Sequence, residues 1–120
     1  TTLLSQTVQV AQAMSSFEPS VAMRYVLVLL KRANGGKLPK HTEMDAANGY
    51  IKLVFNLDTQ YPTESNPQST YDYLVLCQIM RDMGEYYRAR GCGVETKRTK
   101  EGTSIIVIYI KQDIWKSLKL

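Results

Sequence analysis

The chain has 120 residues, 44% of them hydrophobic, with a net charge of +4 and two cysteines. This length suits one domain with a modest apolar core. Two lone cysteines, Cys77 and Cys92, exclude a disulfide framework and a CxxC zinc motif. The apolar runs are far shorter than the roughly twenty residues that span a bilayer. We therefore expect one compact domain over residues 1–120, without a membrane helix, in the cytoplasm or another reducing intracellular compartment.

The first third of the chain predicts one helix. Residues 1–18 begin without methionine, which indicates processing or a longer parent chain, and we expect them to be a loosely attached N-terminal segment. The stretch from Ser20 to Ala33 follows Pro19, has two basic residues in its last turn and ends at Asn-Gly-Gly, as helices do. The apolar density over residues 25–30 also suits a strand.

The middle of the chain predicts a connection, a strand and a loop. Residues 35–49 are rich in glycine and other helix breakers, so we expect a connection with one helical turn at its end. From Tyr50 to Leu57 apolar and polar residues alternate, which predicts a strand with one buried face. A polar loop with two prolines follows.

The longest predicted element is a helix from Ser69 to Arg90. Ser69 and Asp72 have the spacing of a capping box, and Gly91 follows two arginines where a left-handed glycine commonly ends a helix. Three- and four-residue steps predict an apolar stripe that lies on a sheet. Its members are Tyr73, Leu76, Cys77, Met80, Met83, Gly84 and Tyr87.

The C-terminal third predicts a β-hairpin and a short closing helix over residues 112–120. The hairpin pairs residues 94–99 with residues 104–111. The second strand is apolar on both faces, so it is either a central strand under helices or part of a homo-oligomer contact. We therefore predict an α+β, two-layer domain whose small mixed or antiparallel sheet is covered by two main helices.

Catalytic and metal-binding patterns are weak. His41, the chain's one histidine, lies in the predicted connection without a nucleophile turn, so we expect a solvated side chain. No phosphate-binding glycine motif is present. Glu43 and Asp45 lie two residues apart, and this local spacing is only a weak indication of a metal site, because an exposed polar loop explains it as well. We expect no catalytic residue, no metal and no cofactor, and we favour a non-enzymatic protein while an enzyme stays open.

Cys92 is a candidate reactive thiol. It lies between two glycines and close to Arg90, a setting that lowers a thiol pKa and exposes the thiolate. The preceding helix C-terminus has the opposite effect on the thiolate, because its dipole is negative. Both outcomes stay open at this stage.

The strongest functional indication in the sequence is an excess of basic residues near the C-terminus. The last 42 residues carry nine basic and five acidic side chains, whereas the first 78 carry six of each. Five cations and two aromatic rings form a candidate phosphate-binding and base-stacking surface: Arg88, Arg90, Lys97, Arg98, Lys100, Tyr86 and Tyr87. We expect a small accessory protein that binds RNA or single-stranded DNA with little sequence preference. The alternative is a protein-interaction or oligomeric scaffold module without nucleic-acid binding.

Overall fold

The protein is an α+β domain in which helices pack on a four-stranded antiparallel sheet, as predicted. The computed structural model describes residues 18–83 and 90–118. The elements follow the order α1 (Pro19–Ala33), β1 (His41–Asp45), β2 (Tyr50–Leu57), α2 (Pro67–Met83), β3 (Cys92–Arg98), β4 (Ser104–Lys111) and α3 (Gln112–Leu118). Apart from Glu18, the predicted N-terminal segment lies outside the described residues.

The sheet has the strand order β1-β2-β4-β3. Each neighbouring pair is antiparallel, so β2 and β3 run in the same direction with β4 between them. The α2 connection therefore carries the chain across the sheet from β2 to the far edge, and the β3–β4 hairpin returns it to the centre. The predicted hairpin is confirmed.

One face of the sheet forms the core with the helices. Leu53 and Phe55 of β2 and alternate isoleucines of β4 are at most 1% exposed. They pack in one cluster with apolar residues of all three described helices, among them Val26, Leu76 and Trp115. This alternation is the physical reason for the strands, because a period of two places every second side chain on the core face.

The opposite face of the sheet is also partly apolar. Strand register places Val54 opposite Val107 and Lys52 opposite Tyr109 on this face. Val107 is 2% exposed yet lies outside the core cluster, and Tyr109 is half-buried. Strand β4 is therefore central in the sheet, as one of the two alternatives expects, and it buries side chains on both faces although the described helices pack on only one of them.

Helix α1 has the predicted extent. Pro19 occupies its first turn, where the missing N–H costs no helical hydrogen bond. At the other end, the Gly36 N–H donates to the Lys31 carbonyl oxygen at 2.7 Å, with Gly35 and Gly36 at positive φ. The Asn-Gly-Gly stop therefore acts as a glycine C-terminal cap.

Helix α2 begins two residues before the predicted start. Asn66 Oδ1 accepts the N–H of Gln68, which caps the helix, and Pro67 is the first helical residue. The predicted capping box at Ser69 and Asp72 is wrong, because the Ser69 hydroxyl donates to the Asn66 carbonyl oxygen at 2.7 Å instead. Asp72 forms a tertiary ion pair that is described below.

The buried stripe of α2 differs in part from the prediction. Leu76 and Met83 are buried as expected, and Ile79, which the prediction omitted, is also fully buried. Tyr73, Cys77 and Met80 are half-buried. Gly84, Tyr87 and Arg88 lie outside the described residues, so the predicted end of the helix is described only at Arg90.

Strand β1 was not predicted. All five of its residues are exposed, so the polar sequence His-Thr-Glu-Met-Asp lacks the apolar alternation that identifies a buried strand. It forms because its backbone pairs with the edge of β2, with Glu43 opposite Leu53. The expected helical turn at the end of this region is present as a 3-10 turn, Ala47–Gly49.

The entry to β3 requires a glycine. Gly91 has a φ of +81°, a conformation that costs other residues energy. A Cβ at this position would lie 2.9 Å from Ile114 Cδ1 of α3. Gly91 therefore allows both the turn into β3 and the close packing of the C-terminal helix.

Candidate functional site

The basic residues of the C-terminal third are distributed around the β3–β4 hairpin. Lys97, Arg98 and Lys100 are all exposed at the end where β3 turns into β4. The turn is held by Thr99, whose N–H donates to the Thr103 carbonyl oxygen at 2.9 Å. We call these three cations the hairpin cations.

The hairpin cations project to both sides of the edge strand. Lys97 lies opposite Ile105 on the face away from the helices, whereas Arg98 lies opposite Ser104 on the helix side. The edge of the sheet therefore presents positive charge in two directions.

Arg90 does not join the hairpin cations. It precedes β3, and the six residue steps from Cys92 to Arg98 correspond to about 20 Å of extended strand. The predicted convergence of Arg90 with Lys97 and its neighbours is therefore not formed. The other predicted members, Arg88, Tyr86 and Tyr87, lie outside the described residues.

Two carboxylates moderate the charge at this end of the sheet. Glu101 lies in the hairpin turn, and Asp58 follows β2, whose last residue pairs with Ser104; both carboxylates belong to exposed residues. The local charge of the hairpin end is thus only weakly positive. Lys97 and Arg98 differ from these carboxylates because they line an aromatic groove.

The hairpin groove is a cavity of about 230 Å³ on the helix side of β3. Its walls include Lys97, Arg98 and two tyrosines, Tyr61 and Tyr73, whose rings meet edge to face with centroids 5.6 Å apart. Ser104 fixes the loop before α2, because its hydroxyl accepts the Tyr61 N–H at 3.0 Å. The groove combines cations with aromatic surface, which the hairpin sequence alone did not show.

A second cavity, of about 420 Å³, lies between the end of α1 and the start of α2. We call it the Asp72 cavity, after a carboxylate that is 3% exposed. Arg32 Nη1 lies 3.2 Å from Asp72 Oδ1, and Gln68 Nε2 donates to the same oxygen at 2.9 Å. The buried charge is therefore paired and hydrogen-bonded, as burial of a carboxylate requires.

Tyr61 contributes to the walls of both cavities. Tyr61 is 5% exposed, and its hydroxyl has no hydrogen-bond partner among the described residues. Burial raises the pKa of the Tyr61 phenol above its ordinary value, and the Asp72 carboxylate adds to the shift. The phenol is therefore a protonated, unused hydrogen-bond donor at neutral pH.

Cys92 has an environment opposite to that of a reactive thiol. It is fully buried in the core cluster, and burial raises the pKa of its thiol from 9.0 to about 12, although Arg90 partly offsets this. Of the two outcomes that the sequence leaves open for Cys92, the structure therefore favours the unreactive thiol. The two flanking glycines do not expose the side chain, because β3 turns it toward the helices.

His41 is a strand residue and not a solvated loop residue. Its ring stacks on Phe55 with centroids 4.8 Å apart, and its Nε2 lies 3.6 Å from a Glu43 carboxylate oxygen. The same oxygen accepts the Trp115 indole N–H at 3.1 Å, so Glu43 joins β1 to α3. Within residues 18–83 and 90–118, no group of three or more His, Cys, Asp or Glu residues is arranged to bind a metal.

Comparison with protein-family models, curated proteins and solved structures gives no match. Among the described helices, none is both long and apolar enough to cross a membrane.

Sequence reasoning missed three residues of these cavities: Arg32, Tyr61 and Asp72. Asp72 has the spacing of a helix cap and Arg32 lies in the last turn of a helix, so neither residue indicates a tertiary contact from the sequence alone. Tyr61 gave one usable signal, as a large aromatic residue in a polar loop. Nothing local in the sequence indicates that the three lie together.

Proposed function

We propose that the protein is a small, non-enzymatic accessory protein that binds RNA or single-stranded DNA over the end of the β3–β4 hairpin. The observation that supports this most directly is the position of Lys97 and Arg98 on the rim of an aromatic groove. Cations attract phosphates, and aromatic surface accommodates bases whatever their sequence.

The alternation of cations along β3 favours a path in which the nucleic-acid strand crosses the edge of the sheet. A phosphate chain passing over the hairpin contacts Lys97 on one side, Arg98 on the other and Lys100 at the turn. Long cationic side chains that reach phosphates carry no base code. The expected binding is thus weakly sequence-dependent and strongly salt-dependent.

A single strand suits the groove better than a duplex. Aromatic stacking requires unpaired bases, which are available in single strands, loops and bulges. Tyr73 is half-buried at the groove and keeps part of its ring accessible for such contact. We therefore expect duplexes to bind through phosphate contacts alone.

Salt titration tests the proposal directly. Fluorescence anisotropy with a labelled oligothymidylate of eight nucleotides measures affinity across a range of salt concentrations. Each phosphate contact on a single strand contributes a log–log slope of about −0.7, so three hairpin cations predict a slope of about −2. Replacing Lys97 and Arg98 together by glutamine removes two contacts and should flatten the slope by about 1.4.

A charge-matched control separates a local site from general attraction. Arg24 and Lys31 are exposed cations of α1 beside α3, away from the hairpin. Arg24→Gln with Lys31→Gln changes the net charge equally and should leave the slope unchanged. The proposal is wrong if the wild-type protein does not bind at low salt, or if both double variants flatten the slope equally.

Self-association is the second candidate function, and one observation favours it. The face of β4 outside the core cluster carries Ile105, Val107 and Tyr109, an apolar centre on a sheet face. A homo-oligomer formed through this face should dissociate when Ile105 is replaced by lysine, whereas Leu74→Lys on exposed α2 surface should have no effect. Light scattering that reports a monomer at high protein concentration contradicts this candidate.

A further inference from the structure

We infer that the Asp72 cavity receives one nucleobase of the strand bound at the hairpin, an inference that rests on the proposed function. The cavity offers a neutral hydrogen-bond donor and a carboxylate acceptor on facing elements, and Tyr61 connects it with the hairpin groove. A nucleobase edge carries donors and acceptors side by side and is complementary to that pair.

The donor is the Tyr61 hydroxyl. The residue is anchored by its main chain at Ser104, where the Tyr61 N–H and carbonyl oxygen both hydrogen-bond to the Ser104 hydroxyl. From that anchor the side chain contributes to the wall of the Asp72 cavity, and its buried hydroxyl has no hydrogen-bond partner among the described residues. A buried hydroxyl without a partner is costly, so a ligand acceptor placed beside it gains a hydrogen bond that the unliganded protein lacks.

The acceptor is the Asp72 carboxylate. Among the described residues, the hydrogen bonds from Arg32 and Gln68 both end on Oδ1. A carboxylate has two oxygens with about four acceptor positions. Asp72 therefore retains acceptor capacity for an N–H group of a ligand while its pairing with Arg32 is preserved.

Electrostatics favours a neutral ligand in this cavity. An anionic group beside Tyr61 would approach the Asp72 carboxylate, whose partner Arg32 is 43% exposed and partly solvated. A cation would compete with Arg32 for Asp72. A tyrosine phenol is protonated at neutral pH, and burial raises its pKa further, so it can donate to a carbonyl oxygen or ring nitrogen. Phosphates therefore belong on the hairpin cations, and a base belongs in the cavity.

The cavity and the hairpin groove share one wall residue, Tyr61. Its main chain is hydrogen-bonded to Ser104, which pairs with Arg98, and its ring meets Tyr73 edge to face. A nucleotide whose phosphate contacts Arg98 can thus direct its base past the Tyr61 ring. This arrangement gives one base of the strand a polar pocket and leaves the others stacked or solvated.

The test compares an oligothymidylate of eight nucleotides with an abasic chain of the same length and charge. The variant Tyr61→Phe removes one oxygen atom and keeps the ring. We expect it to weaken binding of the base-containing strand about two- to tenfold, the usual range for one lost hydrogen bond. Its affinity for the abasic chain and its salt slope should remain those of the wild-type protein.

Tyr25→Phe provides the matched control. Tyr25 is a half-buried tyrosine of α1 that packs against the core, and its hydroxyl is not part of either cavity wall. This variant should bind both strands as the wild-type protein does. Circular dichroism of all variants verifies that the fold is retained.

The outcomes distinguish the inference from the proposed function. If the wild-type protein shows no salt-dependent binding, the proposed function fails and the inference fails with it. If binding has the expected salt slope but Tyr61→Phe binds the oligothymidylate like the wild-type protein, the inference alone is overturned. An equal loss of affinity for both strands also overturns it, because the effect would not depend on a base.

Discussion

Leu76 provides the most direct test of the core. Its side chain is fully buried on α2, where it packs in the cluster that joins the helices to β2 and β4. Two residues earlier on the same helix, Leu74 is 60% exposed. The same substitution by alanine at these two positions therefore separates burial from helix propensity.

The expected effect of Leu76→Ala follows from the atoms removed. The substitution deletes three carbon atoms, and at about 0.8 kcal/mol for each buried group the lost transfer free energy is about 2.4 kcal/mol. The cavity that remains adds a further penalty, so the total loss should lie between about 2 and 5 kcal/mol. Leu74→Ala should change the free energy of unfolding by less than about 0.5 kcal/mol.

Urea unfolding followed by circular dichroism measures both variants. Leu76→Ala should move the midpoint to a lower urea concentration without a change of slope, since the surface exposed on unfolding stays similar. A loss below about 0.5 kcal/mol, or equal losses for the two variants, would refute the packing of α2 on this face of the sheet.

Four further predictions concern turns, thiols and the Tyr61 phenol. Gly91→Ala should destabilise the protein more than Gly102→Ala, because both have positive φ but only Gly91 has a side chain within 2.9 Å of the added Cβ; chemical unfolding compares them. A thiol reagent should label half-buried Cys77 before buried Cys92 in the folded protein, and equal rates would contradict the burial. Above pH 9 the unfolded chain loses the Cys92 proton while the folded protein retains it up to about pH 12, so the free energy of unfolding should fall as the pH rises, and less so in Cys92→Ala. Tyr61→Phe should be as stable as the wild-type protein or more stable by up to about 1–3 kcal/mol, because it removes a buried hydroxyl without a partner; a large loss in thermal unfolding would contradict this.

Elements with a strong apolar period were predictable from the sequence. Alternation located β2, helical spacing with Pro19 and Asn-Gly-Gly located α1, and the double-sided apolar run placed β4 at the centre of the sheet. In each case the element is stabilised by burial of one or both faces, and that burial requires apolar residues at the period of the helix or strand. Strand β1 has no such pattern, because all five of its residues are classed as exposed and it pairs with β2 through its backbone; the contact of the His41 ring with Phe55 leaves no periodic apolar signal.

The basic surface was only partly predictable for a related reason. Neighbours in the sequence from Arg90 to Lys100 separate in space when the intervening residues form a strand, since each residue adds about 3.3 Å. Lys97, Arg98 and Lys100 stay together because the hairpin turn follows them at once. The environment of Cys92 depends in the same way on tertiary structure, because the direction of its side chain is set by the pairing of β3 with β4.

The Asp72 cavity shows why long-range polar contacts escape sequence analysis. Arg32 and Asp72 are 40 residues apart, and Tyr61 and Ser104 are 43 apart, so no local spacing relates them. Packing explains the ring of Tyr61, which meets Tyr73 edge to face, but it does not explain the hydroxyl. A phenylalanine would make the same ring contacts without leaving a buried donor unpaired, at a saving of about 1–3 kcal/mol. The stability of the folded chain therefore does not account for the tyrosine, and the base site proposed above would supply the missing acceptor.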